Sequence, residues 1–301
     1  MKYTKPPLSI VQQIETLKKR GLIITDQSRA ARYLSFISYY RFRAYTYPYQ
    51  DNNNKHHPFK PFTTFDQILN TYLFDRKIRL LVFDAIERVE IAFRTQIIYH
   101  YSMKYGSQWY ENSKLFRKET LFKKDLKVID KEIGRSYETF IKHYKKKYNQ
   151  PARPPAWMTL ETTSLGLLSK IYENLELSDE KKQIARTFQL KHPFILESWM
   201  HSLSVIRNIA AHHGRLWNRD VSAASMKNPK RTNAIWLENR NIQNGKLYLV
   251  LSSIIFLLNT IIPEHHFIDK FNRLITQYPD IPLKQMGFPR AWEKEKLWCK
   301  N

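Results

Sequence analysis

From Phe65 to Met103 the chain contains neither Pro nor Gly, and Leu73, Ile78, Leu81, Ala85, Val89, Ala92 and Ile97 recur with helical periodicity. So long an uninterrupted run predicts one extended helix around which the rest of the chain must pack. Glycine reinforces that constraint. It supplies 7 of 301 residues, about 2% against a usual ~7%, which argues against hairpin-rich all-β designs. The expected fold class is therefore all-α. With 43% apolar residues the chain can bury a sizeable core, and its length suits one or two domains.

Shorter helical patterns flank the long one. Ile10, Ile14 and Leu17 predict a helix over Leu8 to Arg20, and Asp26 can cap a second from Gln27 to Tyr39. Tyr39-Tyr40-Arg41-Phe42-Arg43, Tyr45 and Tyr47 mix aromatics with arginine. Such a segment can stack bases, with Arg41 and Arg43 on phosphate, or simply pack a helix hairpin. Further helices are expected over Met158 to Asn174, Asp179 to Phe188, Pro193 to His212, Lys246 to Ile262 and Glu264 to Gln277. We divide the chain into an N-terminal helical segment, residues 1–62, and a larger helical domain, residues 63–301.

Within that domain, Lys114 to Arg153 reads as a basic insertion. It is helical, broken near Gly134 and stopped by Pro151, Pro154 and Pro155. The run Lys145, Lys146 and Lys147 is either a solvated face or a contact for RNA. The whole chain carries 50 Lys+Arg against 27 Asp+Glu, a formal charge of +23, which points to a polyanionic partner. A second basic stretch, Arg215 to Arg240 with Arg219 inside it, follows the helix ending near His212.

Several function classes lack support. The single Cys299 excludes an internal disulfide framework and a Cys-based zinc site. No phosphate-binding Gly loop, HExxH, GxSxG or paired CxxC occurs. No metal or cofactor is expected. The opening MKYTKPPLSIVQQ has no signal-like apolar run, and Leu247 to Ile262 is too short and too interrupted to span a bilayer. We expect a cytoplasmic protein with no membrane association.

Arg followed by His after four to six residues occurs at Arg94/His100, Arg186/His192 and Arg207/His212, about as often as chance provides. Helical geometry separates the three. At ~100° per residue, Leu196, Trp199, Leu203, Ile206 and Ala210 form one apolar stripe, with His201, Ser204, Asn208 and His212 opposite. Asn208 and His212 are i, i+4 neighbours, and Gly214 predicts the helix end. Arg186 has no comparable polar stripe, and Arg94 with His100 lies inside the long helix. A histidine, an arginine and a carboxamide so placed can catalyse RNA transesterification without metal, and two facing copies would complete an acid/base pair. A plain solvated helix face is the competing reading.

The order of motifs then resembles the abortive-infection proteins of the AbiD/AbiF type, placed in the HEPN superfamily of helical ribonucleases. The matching residues are Lys5-Pro6-Pro7 with Gly21-Leu22, Tyr39-Tyr40-Arg41, Phe74-Asp75-Arg76 and Asp84 through Glu90. Trp199, Arg207-Asn208, Ala211-His212-His213 and Arg215-Leu216-Trp217-Asn218-Arg219 follow, then Met286-Gly287-Phe288-Pro289 with Trp292. The resemblance maps the Arg-Asn-x-x-x-His motif, shared with RNA-targeting type VI CRISPR effectors, onto Arg207, Asn208 and His212. Glu90 and Arg94 map to a supporting Glu-x-x-x-Arg element, where an acid facing the histidine would raise its pKa; an ordinary i, i+4 ion pair is the alternative. His213 and Arg215 adjoin the motif. The resemblance implies a helical bundle, a homodimer, and phage defence by an endoribonuclease, with some members restrained by a structured small RNA as in a toxin–antitoxin pair. Two competing functions are a non-catalytic RNA-binding protein and a DNA-binding repressor, the latter without a recognition-helix motif.

Overall fold

The computed structural model describes residues 2, 6–224, 226–239 and 241–299. Lys5 of the N-terminal motif and Arg240 at the end of the second basic stretch lie outside the described residues. Among those described there are twelve α-helices and no strands, so the fold is all-α as expected. Four isolated β-bridges tie loops together.

Two compact units are present: Met1–Ile78 with Asn272–Pro282, and Arg79–Phe271 with Leu283–Asn301. The chain passes from the first unit into the second inside one long helix, whereas the boundary expected from composition, at residues 62 and 63, lies just ahead of that helix.

The first unit holds α1 (Ile10–Lys19), α2 (Gln27–Ile37), α3 (Tyr39–Arg43) and the start of α4 (Phe65–Tyr105). Ser9 and Gln12 form a capping box at α1, and the Asp26 carboxylate accepts the Arg29 amide at 2.8 Å to cap α2. The helix expected to reach Tyr39 stops at Ile37, because Ser38 adopts φ 68° and then caps α3 with its hydroxyl. The turn places Phe42 in the core, stacked on Phe65 at 4.7 Å. The buried Asp75 carboxylate accepts the Tyr45 hydroxyl at 2.6 Å.

The second unit continues α4 and adds α5 (Glu119–Arg135), α6 (Thr139–Lys147), α7 (Ala156–Thr159), α8 (Leu165–Asn174), α9 (Asp179–Thr187), α10 (Pro193–Ala211) and α11 (Leu247–Ile261). The last helix, α12 (Phe267–Gln277), begins here and ends in the first unit. α4 runs unbroken as expected. α5 continues through Gly134, against expectation: one helical glycine costs ~1 kcal/mol, and buried Phe122, Ile129 and Ile133 hold the helix down past it. The break falls instead at Ser136–Glu138. Arg153 closes the insertion, reaching Glu111 and Asp130, each at 2.6 Å.

The helix expected over Met158 to Asn174 is also interrupted. Thr162 and Thr163 turn their hydroxyls onto the Thr159 and Leu160 carbonyls, and Ser164 caps a new start at α8. α10 is central: α8, α9, α11 and the Ser222–Ala224 turn all pack on it. α11 is the buried apolar run, with Leu247 through Leu258 out of solvent. Among the described residues no helix is long and apolar enough to cross a membrane.

Candidate functional site

The stripe Leu196, Trp199, Leu203, Ile206 and Ala210 is buried, and His201, Asn208 and His212 are exposed. Ser204 departs from the expected polar face. It is buried and donates its hydroxyl to the His201 carbonyl at 2.8 Å. A helix covered from several sides has a wider apolar face than a single stripe, and Ser202, bonded to the Ala224 carbonyl, is buried for the same reason.

The end of α10 is built differently from the glycine stop that the sequence suggests. His212 is the C-cap, and His213, not Gly214, takes the left-handed conformation at φ 58°. The His213 amide donates to the Ala210 carbonyl at 3.1 Å and the Gly214 amide to the Ile209 carbonyl at 2.8 Å, the two bonds of a Schellman motif. Gly214 is needed for space. A Cβ there would lie 3.0 Å from Ile209 Cγ2 and 3.1 Å from the Ile209 carbonyl oxygen. Beyond it, buried Leu216 and Trp217 pin the following loop.

α4 supplies the other wall. Glu90, one-eighth exposed, accepts Arg94 Nη2 at 2.7 Å through Oε1, while Oε2 lies 4.0 Å from Arg207 Nε. Its carboxylate thus sits between two guanidinium groups. Arg94 is buried and also donates to the Thr163 carbonyl at 2.9 Å, with Glu161 at 3.7 Å. Arg207 rests over the Phe83 ring, 5.6 Å from its centroid, and reaches Asn208 Oδ1 at 3.5 Å. The acid expected to face the histidine therefore faces Arg207 instead. Among the described residues the His212 ring makes no hydrogen bond; only its backbone amide is engaged, by the Asn208 carbonyl at 3.0 Å. The arrangement presents an exposed carboxamide beside a guanidinium whose direction is set from α4, with an exposed imidazole at the helix C-cap.

The other singled-out cations scatter. Arg219 donates to the Arg215 carbonyl at 3.4 Å, beside the site. Arg41 is half-buried, and exposed Arg43 lies over Tyr39. Lys145 is spent on the Ile133 carbonyl at 2.8 Å, Lys147 lies over Tyr148, and Lys146 is exposed. Three participants escaped the sequence reading: Phe83, Glu161 and Thr163. Phe83 could have been found, since it lies seven residues before Glu90 and so on the same face of α4. The first unit also holds an overlooked cleft of ≈670 Å³ lined by Arg29, Arg32, Tyr33, Phe36, Tyr72 and Arg76. The spacing 29, 32, 33, 36 on α2 was the available signal.

A family model described as Abi-like protein matches residues 32–218. The chain belongs to the Abi-like protein family. The matched span starts inside α2 of this Abi-like protein and takes in Glu90, Arg94 and Arg207 through Asn218. Membership associates it, at that coarse level, with abortive infection, the defence against phage. No curated protein and no solved structure matches the chain.

Proposed function

We propose that this Abi-like protein is a metal-independent endoribonuclease of the HEPN type, acting in abortive infection. The observation that supports it most is Arg207 beside Asn208 near the end of α10, directed by Glu90 of α4, with exposed His212 at the helix C-cap. In this reading the ribose 2′-oxygen attacks the adjacent phosphorus, the 5′-oxygen leaves, and a 2′,3′-cyclic phosphate and a 5′-hydroxyl result. His212 takes the 2′ proton or returns one to the leaving oxygen. Arg207 holds the phosphate and offsets charge in the pentavalent transition state, and Asn208 orients the phosphate. His213, Arg215 and Arg219 line the approach.

One histidine cannot act as acid and base at once, so the active form is a homodimer that brings two His212 rings to one phosphate. Leu80, Phe83 and Ile91 support this. They are exposed in the single chain, share one face of α4, and adjoin Glu90. RNA is the partner, and the protein is cytoplasmic. Purified protein and a His212→Ala variant, incubated with RNA in EDTA, test the reading. Cleavage to cyclic-phosphate ends by the wild type alone is expected; equal cleavage by both, or a requirement for magnesium, would sink it.

The exposed His212 ring, without a hydrogen-bond partner, favours one second reading. In it the site grips RNA without cutting, as in a complex with a structured small antitoxin RNA. That reading predicts tight, salt-sensitive binding and intact RNA.

A further inference from the structure

The chain entering α5 is clasped to the end of α8. The Arg117 amide donates to the Asn174 carbonyl at 2.8 Å, and the Lys118 amide to Asn174 Oδ1 at 3.0 Å. Asn174 Nδ2 returns a bond to the Lys118 carbonyl at 3.1 Å. This double clasp, with Asn174 buried, gives rigid backing to a cleft of ≈360 Å³ between the two helices. Four cations line it, Arg117, Lys118, Lys124 and Lys170, against the carboxylates of Asp125 and Glu173. Among the described residues no carboxylate lies within 4.0 Å of the Lys118, Lys124 or Lys170 ammonium groups. α5 begins at this cleft without a side-chain cap on its first amides.

Asp125 is the unusual member. It is only 9% exposed, yet among the described residues its carboxylate makes no hydrogen bond and no ion pair within 4.0 Å. Burial raises its carboxyl above the usual range, and Lys170 and Lys124 pull it back down. Its carboxylate borders the cleft, where a ligand's hydroxyl or amine could donate to it. Leu121 adds an exposed apolar wall. Arg117 has Glu197 at 3.8 Å, but the three lysines call for an anion, Asp125 accepts a hydroxyl or amine donor, and Leu121 and the volume call for more than a bare ion.

We propose that the α5–α8 cleft is a nucleotide-binding site. The lysines hold the phosphate, a ribose hydroxyl or base amine donates to Asp125, and the base lies on Leu121. The site shares no residue with the α10 cluster and does not depend on that cluster's activity.

Calorimetric titration of the full chain with the four nucleoside 5′-monophosphates, their nucleosides and inorganic phosphate, at fixed ionic strength, tests this. At least one monophosphate should bind tenfold or more tightly than its nucleoside and than phosphate. Lys124→Glu with Lys170→Glu should weaken it at least tenfold while helicity and melting temperature hold, because both side chains are exposed. Asp125→Asn should shrink the preference for nucleotide over phosphate, and His212→Ala should leave binding unchanged even if RNA cleavage is lost. A 5′-phosphorylated RNA that outcompetes the mononucleotide would make the ligand an RNA end; parity would make it the free nucleotide. Absence of binding at millimolar nucleotide, equal binding of inorganic phosphate, or indifference to the lysine reversals would overturn the site. An unchanged preference in Asp125→Asn would overturn the part given to Asp125.

Discussion

Replacing Glu90 by Gln removes the charge between Arg94 and Arg207 while keeping side-chain size. The two arginines should feel it unequally. Arg94 is 9% exposed and bonded at 2.7 Å, whereas Arg207 is 35% exposed at 4.0 Å. Stranding one charge of a buried pair costs ~3–5 kcal/mol. Arg94 keeps the Thr163 carbonyl at 2.9 Å and the half-exposed Glu161 at 3.7 Å, so we reduce the expected loss to about 2–3 kcal/mol. At roughly 2 °C per kcal/mol for a long chain, the melting temperature should fall by about 4–6 °C. The solvent-screened Arg207 pair should contribute only ~0.5 kcal/mol. A double-mutant cycle separates these quantities by urea unfolding. Glu90→Gln and Arg94→Met should each destabilise, while the pair together should cost less than the sum by about 2 kcal/mol, since no buried charge is then left alone. The Glu90→Gln and Arg207→Ala cycle should show a coupling several times smaller. Additive losses at Glu90 and Arg94, with coupling below ~0.5 kcal/mol, would refute this account of the site's frame.

His213 takes a left-handed conformation with a side chain at φ 58°; His213→Gly should therefore be more stable than His213→Ala by about 1 kcal/mol in thermal or urea unfolding, and equal stabilities would contradict it. Gly287 combines φ 86° with a Cβ position 2.5 Å from Lys246 Cβ, so Gly287→Ala should lose about 2–3 kcal/mol, measurable as a lower urea midpoint. His265 is held below the usual histidine range by burial, then by the charges of Arg88 and His266, against Asp269. Its folded pKa is thus the lower one, so unfolded chains bind the proton first. Stability should be full above about pH 6.5 and fall as pH drops from there toward the folded value. The Phe267 amide donates to His265 Nδ1 at 3.2 Å, a bond that protonation breaks. A flatter unfolding-versus-pH curve in His265→Gln checks this, and an unchanged slope would speak against it.

Much of the helical architecture was legible because it rests on local patterns. α4 follows from a stretch free of Pro and Gly, α1 from Ile10, Ile14 and Leu17 at helical spacing, α2 from Asp26 as a cap, and the buried face of α10 from residues at helical spacing. The departures have a common physical origin: a local signal outweighed by packing or by hydroxyl chemistry. Gly134 looked like a break, but Ile133 and Ile129 are buried and hold α5 together. Thr159 through Ser164 carries no Pro or Gly, yet its hydroxyls satisfy backbone groups that a continuous helix would have kept. At the site, Arg207, Asn208 and His212 lie close in sequence and could be read together. Glu90 could be proposed only from resemblance, because more than a hundred residues separate it from Arg207 and no local periodicity encodes that approach. The α5–α8 cleft was illegible for the same reason, its lysines coming from two helices and its aspartate looking like any other charge in a basic segment.

In the proposed ribonuclease reading, the two guanidinium groups on Glu90 divide the work between frame and ligand. Arg94 is fixed by Glu90, by the Thr163 carbonyl and by burial, so moving it toward a phosphate would abandon strong contacts. Arg207 has one distant carboxylate, one carboxamide and the Phe83 ring, all at contact lengths that a phosphate diester could better. An anion arriving at the end of α10 would therefore draw on Arg207 and leave Arg94 in place. Glu90 then acts on the site in two opposed ways. It would orient the arginine proposed to meet the phosphate, and it would compete with that ligand for the same charge. A carboxylate at 4.0 Å rather than 2.7 Å keeps the first effect while weakening the second, which is the balance a phosphate-handling arginine requires.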